Sequence, residues 1–281
     1  MAEWVETWRG VVNAWECDVV EHFTIAYYFD RFADATRNFL DLIGEAETVG
    51  ASVGVGPSRL HATFQHELRA GAAFHITSAV TGIDAGTLRL GHQVTDSTTG
   101  TVMTWVMETL ALPASLPQTT RAALTARVVA WPGPPMPEPR PAPTMQGIPT
   151  ARDRVKPWEV DENGGLSLPA HVHRFSAAAL QSLCAIGLTS AYMQENRRGF
   201  STFELDLDLV SAVGVGDMVA VHTTVAHLGN SSLRVVHRMT ARDGRVLATL
   251  AQSGVHLDME ARRSTKIPDD LRALAAKLLI P

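Results

Sequence analysis

Between residues 24 and 44 the side chains Ile25, Tyr28, Phe29, Phe32, Thr36, Phe39, Leu40 and Ile43 recur at steps of three and four. That period predicts a helix of about twenty residues with one broad apolar face. Thr24 stands where an N-cap belongs, and Gly44 where the chain must turn out of the helix. Elsewhere the alternation drops to every second residue. "AFHITSAVTGI", "TLRLGHQVT" and "TVMTWVMETLAL" alternate apolar and polar positions, as do "MVAVHTTVAHL", "SLRVVHRMTA" and "RVLATLAQSGVHL". The turn-forming runs "DAG", "STTG", "GN" and "RDG" separate them. One long helix followed by an antiparallel meander predicts an α+β fold, a curled sheet covering a buried helix.

The pattern is written twice. "WECDVVEHFTIAYYFDRFADA" starts at Trp15 and "WEVDENGGLSLPAHVHRFSAA" at Trp158, and they align without a gap. Trp15/Trp158, Glu16/Glu159, Asp18/Asp161, Arg31/Arg174, Phe32/Phe175 and Ala35/Ala178 match. Further on, Gly71/Gly216, His92/His237 and Thr95/Thr240 match, then Pro117/Pro268 and Arg121/Arg272. The offset grows in steps, as loop insertions would make it grow. Ser167 and Gly187 repeat the cap positions, predicting a second helix over 167–186. Two tandem copies follow, with cores at 10–125 and 153–276. The chain divides into a first domain at 1–130, a linker at 131–152 and a second domain at 153–281. "WPGPPMPEPRPAPTMQGIP" within the linker is too proline-dense for a helix or a central strand.

Composition narrows the function. With 281 residues, 46% of them hydrophobic, the chain has core material for two domains. A net charge of −5 argues against a nucleic-acid surface. No apolar run reaches spanning length, and "MAEWVETWRG" lacks the basic and apolar regions of a secretory signal. Cys17 and Cys184 form no motif, so a reduced, cytoplasmic protein is expected. His61, His66, His75, His92, His222, His227, His237 and His256 are spread along strands without a metal-binding spacing. They are assigned to core or surface, and no metal or cofactor is expected. "VGVGP" at 53–57 is not placed between a strand and a helix, which argues against a phosphate loop.

Trp-x-Cys-Asp-x-x-x-His-x-x-x-x-x-Tyr ahead of a long apolar helix resembles the 4-hydroxybenzoyl-CoA thioesterase family of hot-dog proteins. Members typically read Asp-x-x-Gly-His-x-Asn. Here the stretch is Asp18-Val-Val-Glu21-His22-Phe-Thr24, so Glu21 replaces the glycine and Thr24 the asparagine. The ending "RRSTKIPDDLRALA" is also similar to the family's tail. The resemblance implies a double hot-dog acting on an acyl-CoA, and further homo-oligomerisation. It implies Asp18 as base or nucleophile and His22 as the group that positions water or tunes the acid. The helix start at Thr24, with the amides of Ala26 and Tyr27, would form the oxyanion hole.

Asp161 is the second-copy equivalent. Gly165 stands there for His22, and Pro169, which has no N–H, for Ala26. One working site per chain is therefore expected, in copy one. Arg197 and Arg198 are candidates for CoA phosphates. Asp18 and Asp161 have a second reading as structural groups that bond turn amides. A hot-dog hydratase or dehydratase, whose Asp and His usually stand five apart rather than four, and a non-catalytic acyl-thioester binding protein are the alternative functions.

Overall fold

The computed structural model describes residues 3–50, 58–137 and 147–279; "VGVGP" and the middle of the linker lie outside them. The first copy comprises β1 (Val5–Val11), a single 3-10 turn (Ala14–Glu16), α1 (Ile25–Leu42), β2 (Ser58–Phe64), β3 (Ala73–Ile83), β4 (Thr87–Asp96), β5 (Val102–Ala111) and α2 (Gln118–Thr125). The second has β6 (Ile148–Arg154), a 3-10 turn (Pro157–Glu159), α3 (Leu168–Ala185), α4 (Ser190–Asn196), β7 (Arg198–Leu209), β8 (Met218–Leu228), β9 (Ser232–Ala241), β10 (Val246–Asp258), β11 (Arg263–Ser264) and α5 (Asp269–Ala276). The six strands and four turns expected from alternation all form.

The strands make one continuous sheet in the order β1-β3-β4-β5-β2-β7-β10-β9-β8-β6, with β11 paired to β10. Each half has the same internal order, and the halves meet where β2 pairs antiparallel with β7, Leu60 opposite Leu207 and Ala62 opposite Leu205. All four of these side chains are fully buried. Their partners on the other face are charged: Arg59 binds Asp206 at 2.8 Å across the seam. The helices pack on each other and on the sheet. One apolar cluster runs through both copies, from Phe29 and Phe32 on α1 to Phe175 on α3, and each copy has a further cluster of its own beyond it. This is the double hot-dog, its two halves related by a pseudo-twofold.

Sequence alternation missed the strands that close and join the sheet. β1 and β6 are edges with mixed, half-exposed faces, so their apolar signal is thin. β6 begins inside the segment expected to be linker. Its Pro149 is tolerated because an edge strand can lack one donor. β2 and β7 were also passed over, although residues 203–209 of β7 alternate strictly. The repeated residues now have a local reason. Glu16 takes the Asn13 amide at 2.8 Å and the Arg31 guanidinium at 2.5 Å. Glu159 does the same with the Lys156 amide and Arg174, at 2.8 and 2.7 Å. Each pair clasps the 3-10 turn to the helix that follows. Trp15 and Trp158 are both exposed, so burial does not explain why they recur.

His92 and His237 are fully buried and bind Ser78 and Thr223 through Nδ1, each at 2.7 Å. They are core residues, as their dispersed spacing implied. Among the described residues no single helix is long and apolar enough to cross a membrane.

Candidate active site

The loop between the first 3-10 turn and α1 is tied down by Asp18. Its Oδ1 accepts the amides of Val20 at 2.9 Å and His22 at 3.0 Å, while its own amide donates to the His22 carbonyl at 2.8 Å. Asp161 repeats the arrangement, Oδ1 accepting from Asn163 and Gly165 at 2.9 and 3.2 Å. The structural reading of these aspartates holds in both copies and accounts for their joint survival. Asp18 also lines the cleft described below. Burial raises its pKa, opposed by the His22 and Val20 amides, and an exposed edge tempers the shift.

Glu21, at the position of the family's glycine, has a left-handed φ of 66°; its counterpart Gly164 has φ 78°. The backbone demand for glycine persists in copy one. There a glutamate bears it, held in an ion pair with Arg69.

His22 meets two groups that sequence reasoning missed. Its Nε2 lies 2.9 Å from Oε1 of Glu67 and 2.6 Å from Nη2 of Arg262, and Arg262 is itself ion-paired to Glu67. A bare Nε2 accepts from Arg262; a protonated Nε2 donates to Glu67. The proton can therefore come and go with a partner waiting in either state. Burial lowers the His22 pKa, Glu67 and Asp18 pull it up, and Arg262 and Arg69 push it down. The net effect is a lowered pKa, which leaves the ring neutral at neutral pH.

The signal for Glu67 was present in the repeat. Phe23 and Leu166 donate their amides to the carbonyls of Leu68 and Val213, which fixes the correspondence of the two loops. Glu67 then falls opposite Ala212, as His22 falls opposite Gly165. A charged residue in one copy and a small one in the other is the mark of the furnished site.

Thr24 is the N-cap of α1 through its backbone, and its side chain makes no capping hydrogen bond. The Tyr27 amide is taken by the Thr24 carbonyl at 3.0 Å, which removes it from the expected oxyanion hole. Ile25 and Ala26 are left as the amides without an acceptor among the described residues, at the positive end of the helix. In copy two the equivalents are Leu168 and Pro169, and the proline has no N–H; there the Ala170 amide, counterpart of Tyr27, has no acceptor among the described residues.

Two compartments flank Asp18 and Ile25. One, of about 250 Å³, is the polar mouth, lined by His22, Glu67, Arg262 and Arg263. The other, of about 90 Å³, runs between the copies and is walled by Val172, Ala179, Leu183, Leu205 and Leu250, with Gln252 at its side. Copy two thus supplies the apolar wall of copy one's cleft. Arg197 and Arg198, expected at the CoA phosphates, line neither compartment. Arg197 ends α4 with a left-handed φ of 50° and Arg198 pairs with Asp258 at 3.1 Å; Arg262 and Arg263 occupy the mouth instead. Among the described residues no cluster of three His, Cys, Asp or Glu is arranged to hold a metal ion.

Fold and site together define a double hot-dog protein with one furnished cleft. The family model of the Thioesterase-like superfamily matches residues 12–139 and again 155–274. The chain belongs to this superfamily and is a thioester hydrolase. Among solved structures it is similar to an acyl-ACP thioesterase from Bacteroides thetaiotaomicron VPI-5482, at 11% identity and a TM-score of 0.65 over 88% of this chain and 96% of that one. It is also similar to the 12:0-ACP thioesterase from Umbellularia californica, at 12% identity and a TM-score of 0.63 over 89% and 93%. At such identities the likeness is one of fold. A search of curated proteins finds no match.

Proposed function

We propose that the first cleft hydrolyses an acyl-CoA thioester to the free acid and CoA. The observation that carries this reading is the His22–Glu67 contact of 2.9 Å beside the free amides of α1, a set that copy two lacks. The acyl group enters the apolar compartment, and the pantetheine arm leaves through the mouth toward Arg262 and Arg263. The thioester carbonyl oxygen faces the Ile25 and Ala26 amides, which stabilise the negative charge of the tetrahedral intermediate. His22 takes a proton from water as its oxygen bonds to the carbonyl carbon. The C–S bond then breaks, and the proton passes to the departing sulfur. Glu67 orients the imidazole and balances its transient charge. Asp18 shapes the loop and presents its second carboxylate oxygen to the cleft.

A panel of acyl-CoAs assayed for CoA release by a thiol reagent tests this directly. The expected result is turnover that falls by about 10²–10⁴ in His22→Asn, the range for loss of a general base. An enoyl absorbance change without CoA release would point to a hydratase. Binding without turnover would point to a carrier role.

A further inference from the structure

The pseudo-twofold that gives copy one its cleft places a second cleft, of about 220 Å³, at the start of α3. It lacks the equivalents of His22, Glu67 and one helix amide, yet it has not become apolar. Its wall comes from α1, β2 and β5 of copy one, and at several positions that wall is the more polar. Thr36 stands where the first cleft has Ala179, and Arg37 where it has Leu180; Asp34 lines the second cleft, while its counterpart Ala177 does not line the first. Glu108, paired with Leu60, stands where Gln252, paired with Leu205, stands in copy two.

Glu108 is 4% exposed and lines the cleft. Its Oε2 accepts the Thr36 hydroxyl at 2.5 Å and lies 3.4 Å from Nε2 of His92. A carboxylate this enclosed asks for a reason.

A second, independent group asks for the same ligand. His171 also lines the cleft and is 4% exposed. Its Nδ1 lies 2.9 Å from the Ser167 carbonyl, an acceptor only, so Nδ1 carries the proton and Nε2 is a bare lone pair. Nε2 has no hydrogen-bond partner among the described residues. Burial lowers this histidine's pKa to about 4, which keeps Nε2 an acceptor at neutral pH. Of the remaining charges, Arg37 is held bidentately by Glu162 at 2.7 Å, and Asp30 pairs with Arg31. Asp34, which also feels Arg31 and Arg37, and Asp161, whose Oδ1 holds two turn amides, complete the lining of acceptors.

We propose that the second cleft is a binding site for a small primary ammonium compound, with Glu108 as counter-ion and His171 Nε2 accepting one of its N–H groups. Three donors on one positive centre match a carboxylate beside a neutral imidazole acceptor, and an anionic or purely apolar ligand does not. The two clefts then hold different chemistry: acyl chain in the first, ammonium in the second.

Calorimetric titration of the full chain with n-butylamine, putrescine, n-butanol and butyrate at neutral pH is the test. The amines are expected to bind at one site per chain, with n-butanol and butyrate showing no saturable heat. The same titration of His22→Asn should be unchanged, which separates this site from the hydrolytic one. Glu108→Gln should weaken amine binding at least about tenfold, the loss of one charge-assisted contact. Should that buried substitution fail to fold, the exposed Asp34→Asn must weaken binding and Ala33→Phe, which fills the cleft, must abolish it. Equal binding of n-butanol and n-butylamine, no binding of either amine, or full affinity in the folded variants would overturn the proposal.

Discussion

The Nε2 atom of His22 lies between an acid and a base, so two substitutions should move its titration in opposite directions. Glu67→Gln replaces a carboxylate 2.9 Å away with a neutral group of the same size. Two unit charges at that distance interact by about 1.4 kcal/mol even at the dielectric constant of water, roughly one pKa unit. Arg262→Gln removes a cation 2.6 Å away, an effect of similar size and opposite sign. A general base works when neutral, so hydrolysis persists above the His22 pKa and is lost as pH falls through it. Burial already lowers that pKa from 6.5, which puts the acidic limb of kcat/KM below this value. The limb should move down by about a unit in Glu67→Gln and up by about a unit in Arg262→Gln. The plateau rate of Glu67→Gln should also fall, by less than the ~10²–10⁴ expected for losing His22 itself. The assay follows loss of thioester absorbance across the acid and neutral range, with folding checked by circular dichroism at each pH. Limbs that stay put, or that shift in the same direction in both variants, would refute His22 as the base.

Other outcomes follow from the geometry. Asp18→Asn keeps an acceptor for the turn amides but removes a charge that supports protonation of His22, so the folded protein should lose rate by less than the His22 substitution does. Asp161→Asn, the same change in copy two, should leave the rate per folded molecule intact. Ala179→Leu narrows the acyl compartment and should raise KM for longer acyl-CoAs far more than for acetyl-CoA, read from an acyl-length series. Glu21→Gly relieves a left-handed backbone and should raise stability by about 1 kcal/mol in urea denaturation, less whatever the Arg69 pair contributes. Burial holds His171 and His237 at pKa values of about 4, against 6.5 when unfolded. Both states are neutral above 6.5. As pH falls from 6.5 toward 4 only the unfolded chain gains protons, so each histidine should remove up to about 1.4 kcal/mol of stability per pH unit; His237→Gln should flatten that slope.

The helices, hairpins and caps were legible because each is a local decision. Ile25 to Ile43 has a 3.6-residue period, Gly44 and Gly187 take positive φ, and the meander strands alternate cleanly between core and surface. The pairing of β2 with β7 was not legible, because each strand's neighbour lies in the other copy. Arg59 and Asp206 look like surface charges until the seam sets them side by side. Within the site, Asp18 and His22 could be read from a motif, since a short loop holds both. Glu67 and Arg262 reach the same histidine from far along the chain, and only folding brings them there. The repeat held a clue to Glu67, as it did to His22: copy two substitutes a small residue at each position. The Tyr27 amide, expected among the oxyanion donors, is taken up by the Thr24 carbonyl, a local bond that the motif does not announce.

That pattern of loss is what a fused repeat permits and a symmetric dimer forbids. In a dimer of identical chains, Glu67 would appear in both clefts, and a wall suited to an acyl chain would have to serve both. Fusion frees each position from its twin. What did not drift is the frame: Glu16 with Arg31, Glu159 with Arg174, and an aspartate capping each turn. What did drift is what each cleft presents: His22 against Gly165, Glu67 against Ala212, Ala26 against Pro169, and in the opposite sense Gln252 against Glu108 and Ala179 against Thr36. Simple decay of copy two would erase groups from its cleft and leave the facing wall indifferent. Here the facing wall belongs to copy one and carries a nearly buried carboxylate, Glu108, held by Thr36 and His92. The divergence therefore runs both ways across the pseudo-twofold, toward an apolar cleft with His22 and Glu67 at its mouth on one side and an acceptor-lined cleft on the other.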